Sequence, residues 1–69
     1  MKKILHIEGM SCKHCVKHVT NALEDVEGVN SVEVSLEKKL ANVDISSNVT
    51  DEDLVNAVVD AGYEVIKIE

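Results

Sequence analysis

The chain has 69 residues, enough for one domain but too few to enclose a large substrate cleft, which argues against an enzyme. Phe and Trp are absent and Tyr63 is the sole aromatic, so the core must be aliphatic and the stacking platforms of single-strand binders are missing. A formal charge of -6 repels phosphate backbones and argues against nucleic acid as a partner.

Lys3 to Glu8 sets Leu5 and Ile7 against Lys3, His6 and Glu8 in a broadly period-two pattern, which predicts a strand with Leu5 and Ile7 facing inward and His6 outward in solvent. Gly9 ends it and lets the following loop turn tightly. From Cys15 the period changes. Val16, Val19, Leu23 and Val26 step by three, four and three, one apolar stripe of a helix that ends before Gly28. Val29 to Leu36 returns to alternation, with Val32, Val34 and Leu36 inward. Glu37-Lys38-Lys39 is a polar turn, and Ala41, Val43 and Ile45 repeat the strand period. After a loop from Ser46 to Val49, Thr50 is a suitable N-cap, with Asp51, Glu52 and Asp53 in the first turn, where the helix dipole favours anions. Leu54, Val55, Val58 and Val59 form the second stripe, Gly62 closes that helix, and Tyr63 to Ile68 is a last short strand. Periodicity does not decide which of Val65, Ile66 and Ile68 faces inward.

The order is βαββαβ, read as a single α+β domain over residues 1–69. Two split βαβ units give a ferredoxin-like sandwich, one four-stranded antiparallel sheet with two helices on one face. No apolar run approaches a membrane span. Behind Met1-Lys2-Lys3 the apolar stretch is too short for a secretory signal. The expected compartment is the cytoplasm, where two Cys three apart stay reduced and read as metal-binding or redox rather than structural.

The chemistry lies in Gly9-Met10-Ser11-Cys12-Lys13-His14-Cys15. Cys12 falls in the loop and Cys15 in the first helical turn, so the chain bends and the two thiols can converge on one ion. Free N–H groups of the helix start and the nearby Lys13 favour thiolate, and both exposure and thiolate character are expected to be greatest at Cys12. Thiolates are soft ligands that suit Cu(I), and two of them are too few for a closed structural zinc site. Three neighbours are accessory candidates. Met10 offers a thioether, although such a Met more simply fills the core. His14 could add a third ligand at a dimer contact, but reads more simply as a solvated residue. The Tyr63 hydroxyl could reach and tune the thiolates, or the ring could simply cover the sheet edge. His18 lies one turn after His14 on the same face and is read as surface. Lys13, His14, Lys17 and His18 cluster beside the Cys pair, whereas Asp51, Glu52, Asp53 and Asp60 form an acidic segment, an asymmetry able to orient a partner.

The run Gly9-Met10-Ser11-Cys12-Lys13-His14-Cys15-Val16 resembles the GMxCxxC signature of heavy-metal-associated domains, most closely the bacterial copper chaperones of the CopZ type. The similarity extends over the whole chain, including Gly62-Tyr63, which resembles the loop tyrosine of the bacterial members and favours the tuning role for Tyr63. The resemblance implies Cu(I) held by Cys12 and Cys15 and delivery to the metal-binding domain of a copper-transporting P-type ATPase. It also implies a copper-linked homodimer at higher loading. Relatives selective for Zn(II), Cd(II) or Pb(II) carry an acidic residue before the first Cys, where this chain has Ser11. The chain is accordingly read as a non-enzymatic cytoplasmic copper chaperone that passes Cu(I) on by ligand exchange. Two alternatives stay open, a metal-binding domain of a heavy-metal P-type ATPase and a dithiol redox protein. Met1 at the start and Glu69 just past the last strand favour a free-standing protein, and the absence of Trp or Pro beside the Cys pair weighs against redox catalysis.

Overall fold

The computed structural model describes residues 1–69. The elements are β1 (Lys2–Glu8), α1 (Lys13–Glu24), β2 (Val29–Ser35), β3 (Leu40–Ile45), α2 (Asp51–Asp60) and β4 (Glu64–Ile68). The sheet order is β2-β3-β1-β4 and every neighbouring pair is antiparallel. Both helices cover the same sheet face, which makes the fold a ferredoxin-like α+β sandwich. The chain order forces this arrangement. Each helix carries one apolar stripe and must bury it against the inward positions of the strands on either side of it.

The core confirms those stripes. Leu5 and Ile7 of β1, Ala41, Val43 and Ile45 of β3, Val19 and Leu23 of α1, and Leu54 and Val58 of α2 are buried in one cluster with Met10 and Val49. All are apolar, and no buried side-chain polar atom is left without a partner. The register explains the pairing of faces: Leu5 lies opposite Ala41, while Val32 and Val34 of β2 lie opposite Val43 and Ala41.

The two helices begin differently. At α2 the expected cap is a full capping box, with the Asp53 N–H donating to Thr50 Oγ1 at 3.1 Å and the Thr50 N–H donating to Asp53 Oδ2 at 3.2 Å. At α1 the N-cap is Cys12, and no side chain caps the helix. The Lys13 and His14 N–H groups at that end have no acceptor within the helix and remain available to whatever occupies the loop before it.

Four sequence readings change. The second stripe is narrower than expected, because Val59 is 51% exposed and only Leu54 and Val58 are fully inside. Helix α1 ends at Glu24, so Val26 packs half-buried from the turn that follows it. Lys3 shares the inward parity of Leu5 and Ile7, and its Nζ lies 3.2 Å from Asp51 Oδ1 at the start of α2. His6 lies on the opposite face, half-buried rather than solvated, and pairs with Glu69, holding that carboxyl below its ordinary range.

The last strand is resolved by a bulge. Leu5 lies opposite Ile68 and Ile7 opposite Val65, with a register shift between His6 and Ile7. The extra residue lets both Val65 and Ile68 pack toward the core, and Ile66 is left 64% exposed.

Candidate metal centre

Two loops meet at one end of the sandwich. One joins β1 to α1 and carries Cys12. The other joins α2 to β4 and carries Tyr63. Met10 anchors the first loop by inserting into the core, where it is 5% exposed. Its thioether is therefore committed to packing. Gly9 is needed for its backbone. Its φ is +101°, in the left-handed region that side chains other than glycine rarely adopt, and the Tyr63 ring lies against it.

The chain then turns into α1. Cys12 has extended backbone geometry at φ -156°, and its carbonyl accepts from the N–H groups of Cys15 at 3.1 Å and Val16 at 3.3 Å. This bend brings the two sulfurs to 3.6 Å. A disulfide would require about 2.05 Å, so both thiols are free. Two thiolates each about 2.3 Å from one ion are separated by at most about 4.6 Å. The observed spacing therefore allows both sulfurs to reach a single ion without moving the backbone.

No cluster of three or more His, Cys, Asp and Glu side chains forms a metal cage anywhere in the chain. His14 is exposed in the first turn and does not complete a third position with the sulfurs. The centre is thus a two-sulfur site with an open side. Cys12 is exposed and Cys15 half-buried, as the helix start predicts.

Exposure and thiolate character are nevertheless divided between the two residues. The donors converge on Cys15, whose thiol is pulled from its ordinary 9.0 down to about 6. The largest cause is the backbone N–H of Ser11, followed by the Tyr63 hydroxyl, with smaller help from the side chain and backbone N–H of Cys12 and opposition from burial. The Ser11 hydroxyl is also close, with Oγ 3.9 Å from Cys15 Sγ. The phenol responds in kind, pushed above its ordinary 10.0 first by the neighbouring Cys15 sulfur. Sequence reasoning found Tyr63 but missed Ser11. Its contribution is a backbone N–H aimed by the loop, and no spacing rule reports that. The arrangement can grip a soft cation between two sulfurs and admit a third thiolate from the exposed Cys12 side. The largest hollow, about 580 Å³ between α1 and α2, is lined by Asp25, Glu27, Asp53 and Asp60 among others and includes neither Cys.

A two-helix, four-stranded sandwich with a Cys-x-x-Cys pair at the start of its first helix defines a class, and the comparison with known proteins agrees. The chain matches the heavy-metal-associated domain over residues 4–64 and belongs to that family. It is 40% identical over 67 residues to the copper chaperone CopZ of Bacillus subtilis, which is 96% of this chain and 97% of that protein. Among solved structures, a CopZ metallochaperone aligns with a TM-score of 0.91 at 39% identity, covering 96% of this chain and 100% of that one. A copper-binding domain from a P-type ATPase aligns with a TM-score of 0.89 at 34% identity, covering 100% and 99%.

Proposed function

We propose that the chain is a cytoplasmic copper chaperone in which Cys12 and Cys15 hold one Cu(I) and pass it to the metal-binding domain of a copper-transporting P-type ATPase. The observation that carries this reading is the pair of free sulfurs 3.6 Å apart, one exposed and one half-buried, with no third ligand beside them. Two soft ligands suit Cu(I), and the missing third leaves an opening for an incoming thiolate. In the exchange, a partner thiolate bonds to copper, Cys12 lets go, and Cys15 follows as the partner's second thiolate takes its place. Copper remains Cu(I) throughout, and no electron moves. The released Cys12 and Cys15 return to the thiol–thiolate balance set by their surroundings.

Similarity to both a chaperone and an ATPase domain supports the partner. Donor and acceptor sites of one build bind the ion with similar strength, so exchange between them meets little thermodynamic resistance. A reducing compartment keeps the pair as thiols, which supports the cytoplasm. No helix is long and apolar enough to cross a membrane. The exposed Cys12 also permits a copper-linked homodimer, with His14 as an added ligand at the dimer contact. Residues 1–69 act in this reading as one unit. The reading involves no catalytic residue. The second reading, a metal-binding domain of a P-type ATPase itself, is favoured by the complete alignment with such a domain.

The test is anaerobic titration of the reduced protein with Cu(I) in competition with Zn(II), followed by native mass spectrometry. One Cu(I) per chain is expected, retained over Zn(II), with tight binding lost in Cys12→Ser and in Cys15→Ser. Equal retention of Zn(II) overturns the metal assignment. Disulfide reductase activity well above background in the metal-free protein points instead to a dithiol oxidoreductase.

A further inference from the structure

Helix α1 carries a second pair of metal-binding side chains that the two-sulfur site of the single chain leaves unused. His14 and His18 are four residues apart within one helix, so their side chains leave the same face one turn apart, with Cβ atoms about 5–6 Å from each other. Both are exposed. The third histidine, His6, is tied to Glu69, whereas neither His14 nor His18 is held by any hydrogen bond or ion pair. Their rings are free to turn toward a shared ion without undoing any packing.

We infer that His14 and His18 form a bidentate site for a borderline divalent cation of the Ni(II)–Zn(II) class. Imidazole nitrogen is the ligand such ions prefer, and two His at this spacing on a helix is the arrangement by which helical zinc sites take hold of their metal. Ring rotation has to bring both nitrogens to about 2.0–2.1 Å from the ion. The remaining positions belong to water, because no Asp, Glu or Cys joins the two rings in a cluster of three. Binding is therefore exchangeable rather than structural. Lys13 and Lys17 flank the rings and repel a dication, but their charges sit on flexible stems that swing away into water. The overall charge of -6 works in the opposite direction. In this arrangement one helix sorts metals by donor softness, with sulfurs at its start for a soft monovalent ion and imidazoles along its next turn for a borderline divalent one.

The test uses the full chain with Cys12→Ser and Cys15→Ser together, so that no thiolate competes and the outcome does not depend on the copper reading. Circular dichroism checks that the fold is retained. Ni(II) is titrated by calorimetry, and its paramagnetic line broadening is mapped by NMR. One Ni(II) per chain is expected, with broadening centred on His14 and His18 and sparing His6. His14→Gln or His18→Gln reduces a chelate to a single imidazole and should weaken binding by about tenfold or more. Adding Lys17→His to His18→Gln restores a same-face pair at three residues' spacing and should recover most of the loss. The inference is overturned by an absence of saturable binding, by equal broadening at His6, or by an affinity that His18→Gln leaves unchanged.

Discussion

Tyr63→Phe removes one oxygen and leaves the ring that packs over Gly9, so it isolates the contribution of the phenol to the Cys15 thiolate. With its thiol lowered from 9.0 to about 6, Cys15 is about nine-tenths thiolate at pH 7, against about one-hundredth at the ordinary value. Four donors share that depression, namely the Ser11 N–H, the Tyr63 hydroxyl and the side chain and N–H of Cys12, with Tyr63 second in size. Losing the second of four should raise the titration midpoint by about one pH unit. At pH 6 the thiolate fraction then falls from about one-half to about one-tenth, so alkylation of Cys15 slows about fivefold. The assay is iodoacetamide labelling of the reduced, metal-free protein from pH 5 to pH 9, with peptide mapping to read Cys15 separately from Cys12. An unmoved midpoint in Tyr63→Phe means the phenol does not act on the sulfur. A wild-type midpoint near 9 refutes the whole account of the centre.

Three further outcomes follow from the same geometry. A thiol whose native pKa is depressed stabilises the fold fully above its unfolded value of 9.0 and loses that contribution as pH falls through about 6; the urea midpoint of the reduced, metal-free protein should therefore climb from pH 6 to pH 9, and Cys15→Ser should flatten the climb. Leu54 is 0% exposed in the apolar core, so Leu54→Ala should cost about 2–5 kcal/mol. That is a large share of the roughly 3–10 kcal/mol expected for a chain of this size. Denaturant melts that differ by less than about 1 kcal/mol would contradict the packing described. Lys13 and Lys17 are exposed on α1 beside the sulfurs, and reversing both to Glu should slow copper transfer at low salt while leaving Cu(I) affinity nearly unchanged; stopped-flow transfer rates identical to wild type would remove this face from partner recognition.

Much of this protein is legible in its sequence because local rules govern those parts. The steps from Val16 to Leu23 demand a helix, the alternation at Ala41, Val43 and Ile45 demands a strand, and Thr50 with Asp53 caps α2 through contacts three residues apart. The Cys12–Cys15 pair was equally visible, since a two-residue spacer at a loop–helix junction is a local arrangement. What the sequence left open depends on contacts between distant segments. Val65 and Ile68 both face inward only because β1 and β4 pair through a bulge, and a bulge breaks the parity that sequence reading relies on. Lys3 meets Asp51 only once α2 lies across β1, and Val59 is exposed because two helices on one small sheet leave the outer flank of α2 uncovered. The division of labour at the centre is also tertiary. Cys12 is exposed by its place at the helix start, which the chain's own order determines. Cys15 becomes the stabilised thiolate because folding brings the loop N–H of Ser11 and the phenol of Tyr63, from the far end of the chain, close to one sulfur, and donors act only at the short range that the folded packing creates.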